Sequence, residues 1–65
     1  MPKFKKGDRV KIRLDTTSPY RGRSGVISEN LTSDSYGFWY MVKFESNGYS
    51  PSYRFVEQDL AEMSS

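Results

Sequence analysis

Phe38-Trp39-Tyr40-Met41-Val42-Lys43-Phe44-Glu45 decides the fold. In an extended chain successive side chains point to opposite faces. Phe38, Tyr40, Val42 and Phe44 therefore line one side of a strand, and Trp39, Met41, Lys43 and Glu45 line the other. The aromatic and β-branched content suits a pleated, half-buried surface. Asn47-Gly48 follows as a hairpin turn, because both residues tolerate positive φ. The chain then returns as a strand over about Ser52–Val56 that pairs back on Phe38–Glu45. Glu57-Gln58-Asp59 reads as one tight helical turn, and Leu60–Met63 as a short closing strand.

On the N-terminal side, Val10, Ile12 and Leu14 alternate with Arg9, Lys11 and Arg13. This predicts a half-buried strand over Arg9–Leu14 with a basic outer face. Gly7-Asp8 before it marks a turn or bulge. Asp15–Pro19 is small, polar and ends in proline, which reads as a loop. Gly22 and Gly25 bracket Arg23-Ser24, where the backbone needs positive φ or a close approach. A strand resumes at Val26–Ser28, and Glu29–Gly37 reads as a polar loop. Five short strands at this spacing predict an all-β fold, a small five-stranded SH3-like barrel with one short 3-10 turn before the last strand. The chain is expected to be a single domain, 1–65, with an ordered core over about 4–63 and fraying at Ser64-Ser65. Val10, Ile12, Val26, Tyr40, Val42, Phe44, Phe55 and Leu60 are the expected core. Tyr20, Tyr36, Trp39, Tyr49 and Tyr53 are left without an interior role.

Composition narrows the function. Sixty-five residues without Cys or His can use neither a disulfide nor a cysteine or histidine zinc site to support a small core. The absence of Cys fits a reducing, cytoplasmic setting. No apolar run approaches the roughly 18 residues of a membrane span. Without His and Cys, the commonest general base and thiolate chemistry are missing. No Ser sits on a strand-turn-helix elbow, and Gly22 and Gly25 lack the Lys-Ser/Thr of a phosphate loop. Catalysis is not expected, nor a cofactor or a metal. The net charge of +2 hides an asymmetry: residues 1–30 hold eight Lys or Arg against three acids, and residues 31–65 hold two against five. A basic side of this kind suits an anionic partner, although solvated strands also carry charge for solubility.

Gly7-Asp8-Arg9-Val10-Lys11-Ile12, a loop, and Ser18-Pro19-Tyr20-Arg21-Gly22-Arg23-Ser24-Gly25-Val26-Ile27 together resemble the KOW motif. That strand-loop-strand module occurs in SH3-like barrels of ribosomal proteins and transcription elongation factors. The match covers about residues 6–29, with a connecting loop several residues longer than usual. The resemblance implies nucleic-acid or ribonucleoprotein binding, with Lys11, Arg13, Arg21 and Arg23 at the basic positions.

Val10-Lys11-Ile12, Tyr20, Gly25-Val26, Val42-Lys43-Phe44 and the terminal Glu-x-Asp-Leu-x-Glu are similar to small SH3-like accessory subunits of photosynthetic electron transport, which implies docking on a larger protein complex. Gly7-Asp8-Arg9-Val10, Asn30-Leu31-Thr32, Tyr40-x-Val42 and Leu60 are similar to the tetrameric type II dihydrofolate reductases. In place of that family's pore-lining Val-Gln-Ile-Tyr segment, this chain reads Ser52-Tyr53-Arg54-Phe55-Val56.

The expected activity is therefore binding, through Lys11, Arg13, Tyr20, Arg21, Arg23, Trp39 and Tyr53. A nucleic-acid module requires Lys11, Arg13, Arg21 and Arg23 on one face with an exposed aromatic. A protein-docking subunit requires a contiguous apolar patch around Trp39 and Tyr53, with the charges at its rim. Spare aromatics also suit a self-association seam.

Overall fold

A computed structural model describes residues 2–45 and 48–63. It contains strands β1 (Arg9–Ile12), β2 (Ser24–Asp34), β3 (Gly37–Lys43), β4 (Ser52–Val56) and β5 (Leu60–Glu62), with a 3-10 turn at Glu57–Asp59. All pairings are antiparallel, in one sheet of order β4-β3-β2-β1-β5. The fold is thus all-β and five-stranded, with a 3-10 turn before the last strand, as expected. A Cα radius of gyration of 11.0 Å matches the roughly 11 Å of a compact 65-residue chain, so the sheet curls around its core like a small barrel. Among the described residues no pairing joins β4 to β5, which leaves both as edges. No described helix is long and apolar enough to cross a membrane.

The alternation of β3 is realised as the sequence predicts. Tyr40 and Val42 are fully buried and Phe44 just beyond the strand is nearly so, while Lys43 is exposed. Val10, Ile12, Phe55 and Leu60 join them in the core. Burying the Tyr40 hydroxyl is costly unless it is hydrogen-bonded. It donates to Glu57 Oε2 at 2.7 Å and accepts the Phe4 N–H at 3.2 Å. The Lys3 N–H donates to the same Glu57 oxygen at 2.9 Å, and Asn30 Nδ2 donates to the Phe4 carbonyl at 3.0 Å. This network clamps the N-terminal segment across the barrel and buries Phe4 edge-on against Tyr40, with ring centroids 5.6 Å apart. Phe4 and Val56 are core positions that the alternation of the strands did not predict.

Four expectations need correction. Residues 29–34 are not a loop: β2 runs on to Asp34 and pairs with β3 through Asn30↔Tyr40 and Ser33↔Phe38. Its polar residues are held extended by an aromatic partner strand, and register shifts between Ile27 and Glu29 and between Asn30 and Ser33 obscure the period of two. Val26 is 37% exposed, and Ile27, at 1%, takes its place in the core. Gly25 explains the parity. A Cβ there would lie 2.7 Å from the Lys43 carbonyl oxygen and 2.8 Å from Val42 Cγ1, so Gly25 faces inward and Ile27 must follow. The first strand ends at Ile12, and Leu14 is 71% exposed. Arg13 N–H still donates to the Asp59 carbonyl at 2.9 Å, but Thr16 Oγ1 then bonds the Arg13 carbonyl and turns the chain away. Finally, Tyr20 is half-buried against the core rather than spare. Asn47 of the expected turn and the expected fraying at Ser64-Ser65 lie outside the described residues.

Candidate nucleic-acid interface

Because the inner face of the sheet is filled by the core, function falls to its outer face and its rims. On the outer face the strand registers align Arg9↔Val26, Val26↔Lys43 and Lys43↔Ser52 in one row across four strands. Arg9 and Lys43 are exposed and separated by two strand spacings, about 10 Å. Lys11, opposite Ser24, stands beside this row on β1. The next row is Glu29↔Met41↔Arg54. Beyond it Trp39 pairs with the buried Val56. Four cations therefore cross the outer face from β1 to β4, with Glu29 the single acid in the two rows. Arg54 leans on Trp39, its guanidinium carbon 5.1 Å from the ring centroid, a cation–π distance.

The bulged half of β2 folds beside this ladder and leaves a groove of about 490 Å³, walled by Glu29, Leu31, Asp34 and Arg54 with Trp39 and Met41 as floor. The enclosed Trp39 indole N–H meets no acceptor at full hydrogen-bond geometry. It is near enough to Asp34 that this N–H, followed by the Tyr36 backbone N–H, holds the Asp34 carboxyl below its ordinary range. The Tyr36 bond is 2.8 Å long. The acid at the end of the groove is thus kept ionised by donors of its own hairpin.

A second cluster forms where the β1–β2 connection meets β4. Tyr20 is stacked between Phe44 and Tyr53, with centroids 5.2 and 4.6 Å away. The Arg23 guanidinium covers Tyr20 and Phe44 at 5.8 and 5.7 Å. The neighbouring Tyr53 hydroxyl, above all, and burial push the Tyr20 phenol up from its ordinary value. Arg21 turns its guanidinium back to the Ser18 carbonyl at 3.3 Å.

The residues singled out in the sequence are consequently divided. Lys11 and Trp39 share the outer face. Tyr20, Arg23 and Tyr53 come together at the rim, with Tyr53 on the core side opposite Val42. Arg13 joins neither group, because it forms a two-bond fork with Asp15 at 2.8 and 3.0 Å. That bond lowers the Asp15 carboxyl and raises the Arg13 guanidinium. Neither of the two expected arrangements is met as drawn: Lys11 and Arg23 point to opposite faces, and so do Trp39 and Tyr53. Arg9, Lys43 and Arg54 were missed as site residues, although alternation along β3 and β4 already sets Lys43 and Arg54 on the Trp39 side. Comparisons with protein-family models, with curated proteins and with solved structures return no match.

Proposed function

We propose that this chain is a non-catalytic binding module that holds single-stranded nucleic acid along the outer face of its sheet. One observation carries the reading: Arg9, Lys11 and Lys43 stand on one face without an intervening acid and lead to Arg54 and Trp39. Cations at this spacing can follow successive phosphates, and an aromatic beside them offers a face to an unstacked base. The KOW-like stretch over residues 6–29 supports the same class of partner. The proposal differs from the sequence expectation in its residues: Arg13 is already paired, and Arg21 and Arg23 lie on the other rim. A cytoplasmic site of action belongs to the same proposal.

The test is fluorescence anisotropy with a labelled single-stranded oligonucleotide. Binding through three phosphate contacts, at Arg9, Lys11 and Lys43, has a slope of log K against log salt near −2, at about 0.7 per contact. Replacing Lys11 and Lys43 together by Ala should reduce that slope by about 1.4. The proposal is overturned if there is no binding at about 50 mM salt. It is equally overturned if Arg21→Ala with Arg23→Ala removes binding and the Lys11 and Lys43 pair does not. Failure to bind any oligonucleotide leaves protein docking as the better account.

A further inference from the structure

The groove beside the cation ladder holds a combination that phosphate binding does not use. Glu29, Met41 and Arg54 are aligned across three strands, so Glu29 and Arg54 rise from backbone positions two strand spacings apart, about 10 Å, with the Met41 thioether between them. Trp39 lines the floor beside Met41. Glu29 has no hydrogen-bond or ion-pair partner among the described residues. A carboxylate at this position repels phosphate, so the sugar-phosphate chain keeps to the cations and the groove is left to a base.

We infer that the groove selects an unpaired guanine, an inference that rests on the nucleic-acid reading above. Guanine carries donors on one edge, N1–H and the N2 amino group, and acceptors O6 and N7 on the adjoining edge. The first pair suits the Glu29 carboxylate, and the second suits a guanidinium, which takes O6 and N7 as a fork. The ring spans the gap between them over Met41, beside the Trp39–Arg54 stack. Adenine offers an acceptor, N1, to Glu29, and toward Arg54 it keeps N7 but sets its amino donor where guanine has O6, so the Glu29 end is mismatched and the fork at Arg54 is lost. Uracil and cytosine are too short to reach both walls.

Trp39 is the only tryptophan in the chain, so its emission reports on the groove alone. Four labelled single strands, identical except for one central G, A, C or U, are titrated while anisotropy records total binding and Trp39 quenching records occupancy of the groove. Guanosine monophosphate alone provides a further arm. The G strand should bind about fivefold or more tightly than the others and quench Trp39. The free nucleotide should quench only at much higher concentration, since it lacks the phosphates that follow the cations. Equal quenching by free nucleotide and strand at equal concentration overturns the strand as the source of the base. Glu29→Gln should abolish the preference for G, with the U strand binding at least as tightly as before. Arg54→Lys, which keeps the charge but loses the fork, should likewise abolish the preference for G. Binding of all four strands with equal affinity and no quenching overturns the guanine site and leaves the binding face intact. Absence of any anisotropy change overturns both.

Discussion

The two faces of β3 are built from similar residues and do different work. Inward, Phe38, Tyr40 and Val42 meet Ile27, Phe55 and the N-terminal clamp, and every polar atom of Tyr40 is satisfied. Outward, Trp39, Met41 and Lys43 meet Glu29, Arg54 and Val26, and the Glu29 carboxylate finds no hydrogen-bond or ion-pair partner among the described residues. The inner face is closed by its own contacts, whereas the outer one has capacity for a partner. The difference is one residue of parity along a single strand, so substitutions on neighbouring positions should separate stability from binding.

The largest effect is expected at Val42, which has no exposure. Val42→Asp places a charge among Ile27, Tyr53 and Phe44, at a cost of about 4 kcal/mol or more. A chain of this size has a total stability of roughly 3–10 kcal/mol, so the variant should be largely unfolded by circular dichroism. A cooperative thermal transition in Val42→Asp would break the assignment of the two faces. Next is Glu57→Ala, which leaves the buried Tyr40 hydroxyl and the Lys3 N–H without their acceptor. Denaturant unfolding should show a loss of about 1–3 kcal/mol. Wild-type stability in that experiment would locate the clamp's strength in Phe4 burial alone.

A smaller effect concerns acid. The Lys3 backbone N–H, and after it the Tyr40 hydroxyl, hold the Glu57 carboxyl below its ordinary 4.5, and Asp34 is lowered by Trp39 and Tyr36. A carboxyl lowered by folding contributes stability above its unfolded-state value and loses it as pH falls through the folded-state value. Stability should therefore be flat near neutrality and decline below about pH 4.5. Glu57→Gln, which keeps an acceptor oxygen but cannot titrate, should make that decline shallower. An unchanged acid profile would remove Glu57 from the account. The smallest effect on folding is expected from Lys43→Ala on the outer face, within about 0.5 kcal/mol of wild type.

Legibility in the sequence follows the same division. The period of two in Phe38–Glu45 is unbroken, and the strand, its two faces and its pairing with Ser52–Val56 were all readable from it. It fails where the backbone departs from regular pleating. In β2 two register shifts and a polar composition disguise a strand as a loop, and those same shifts shape the groove. Val26 and Ile27 could not be ranked by hydrophobicity; the packing of Gly25 against Val42 settles them. The candidate site was only half visible for a related reason. Charge and aromatic content singled out residue types without their grouping, because whether Lys11 joins Arg23 or Lys43 depends on register. The engagement of Arg13 by Asp15, two positions away, is local and could have been weighed from the sequence.

The most direct measurement of the central claim is an NMR titration of the ¹⁵N-labelled chain with a single-stranded oligonucleotide at about 50 mM salt. The outer face predicts the largest shifts at the backbone amides of Arg9, Lys11, Lys43 and Arg54 and at the Trp39 indole N–H, with Tyr20, Arg23 and Tyr53 nearly unmoved. Shifts concentrated on Tyr20, Arg23 and Tyr53, with a stationary Trp39 indole, would contradict the account and move the site to the rim.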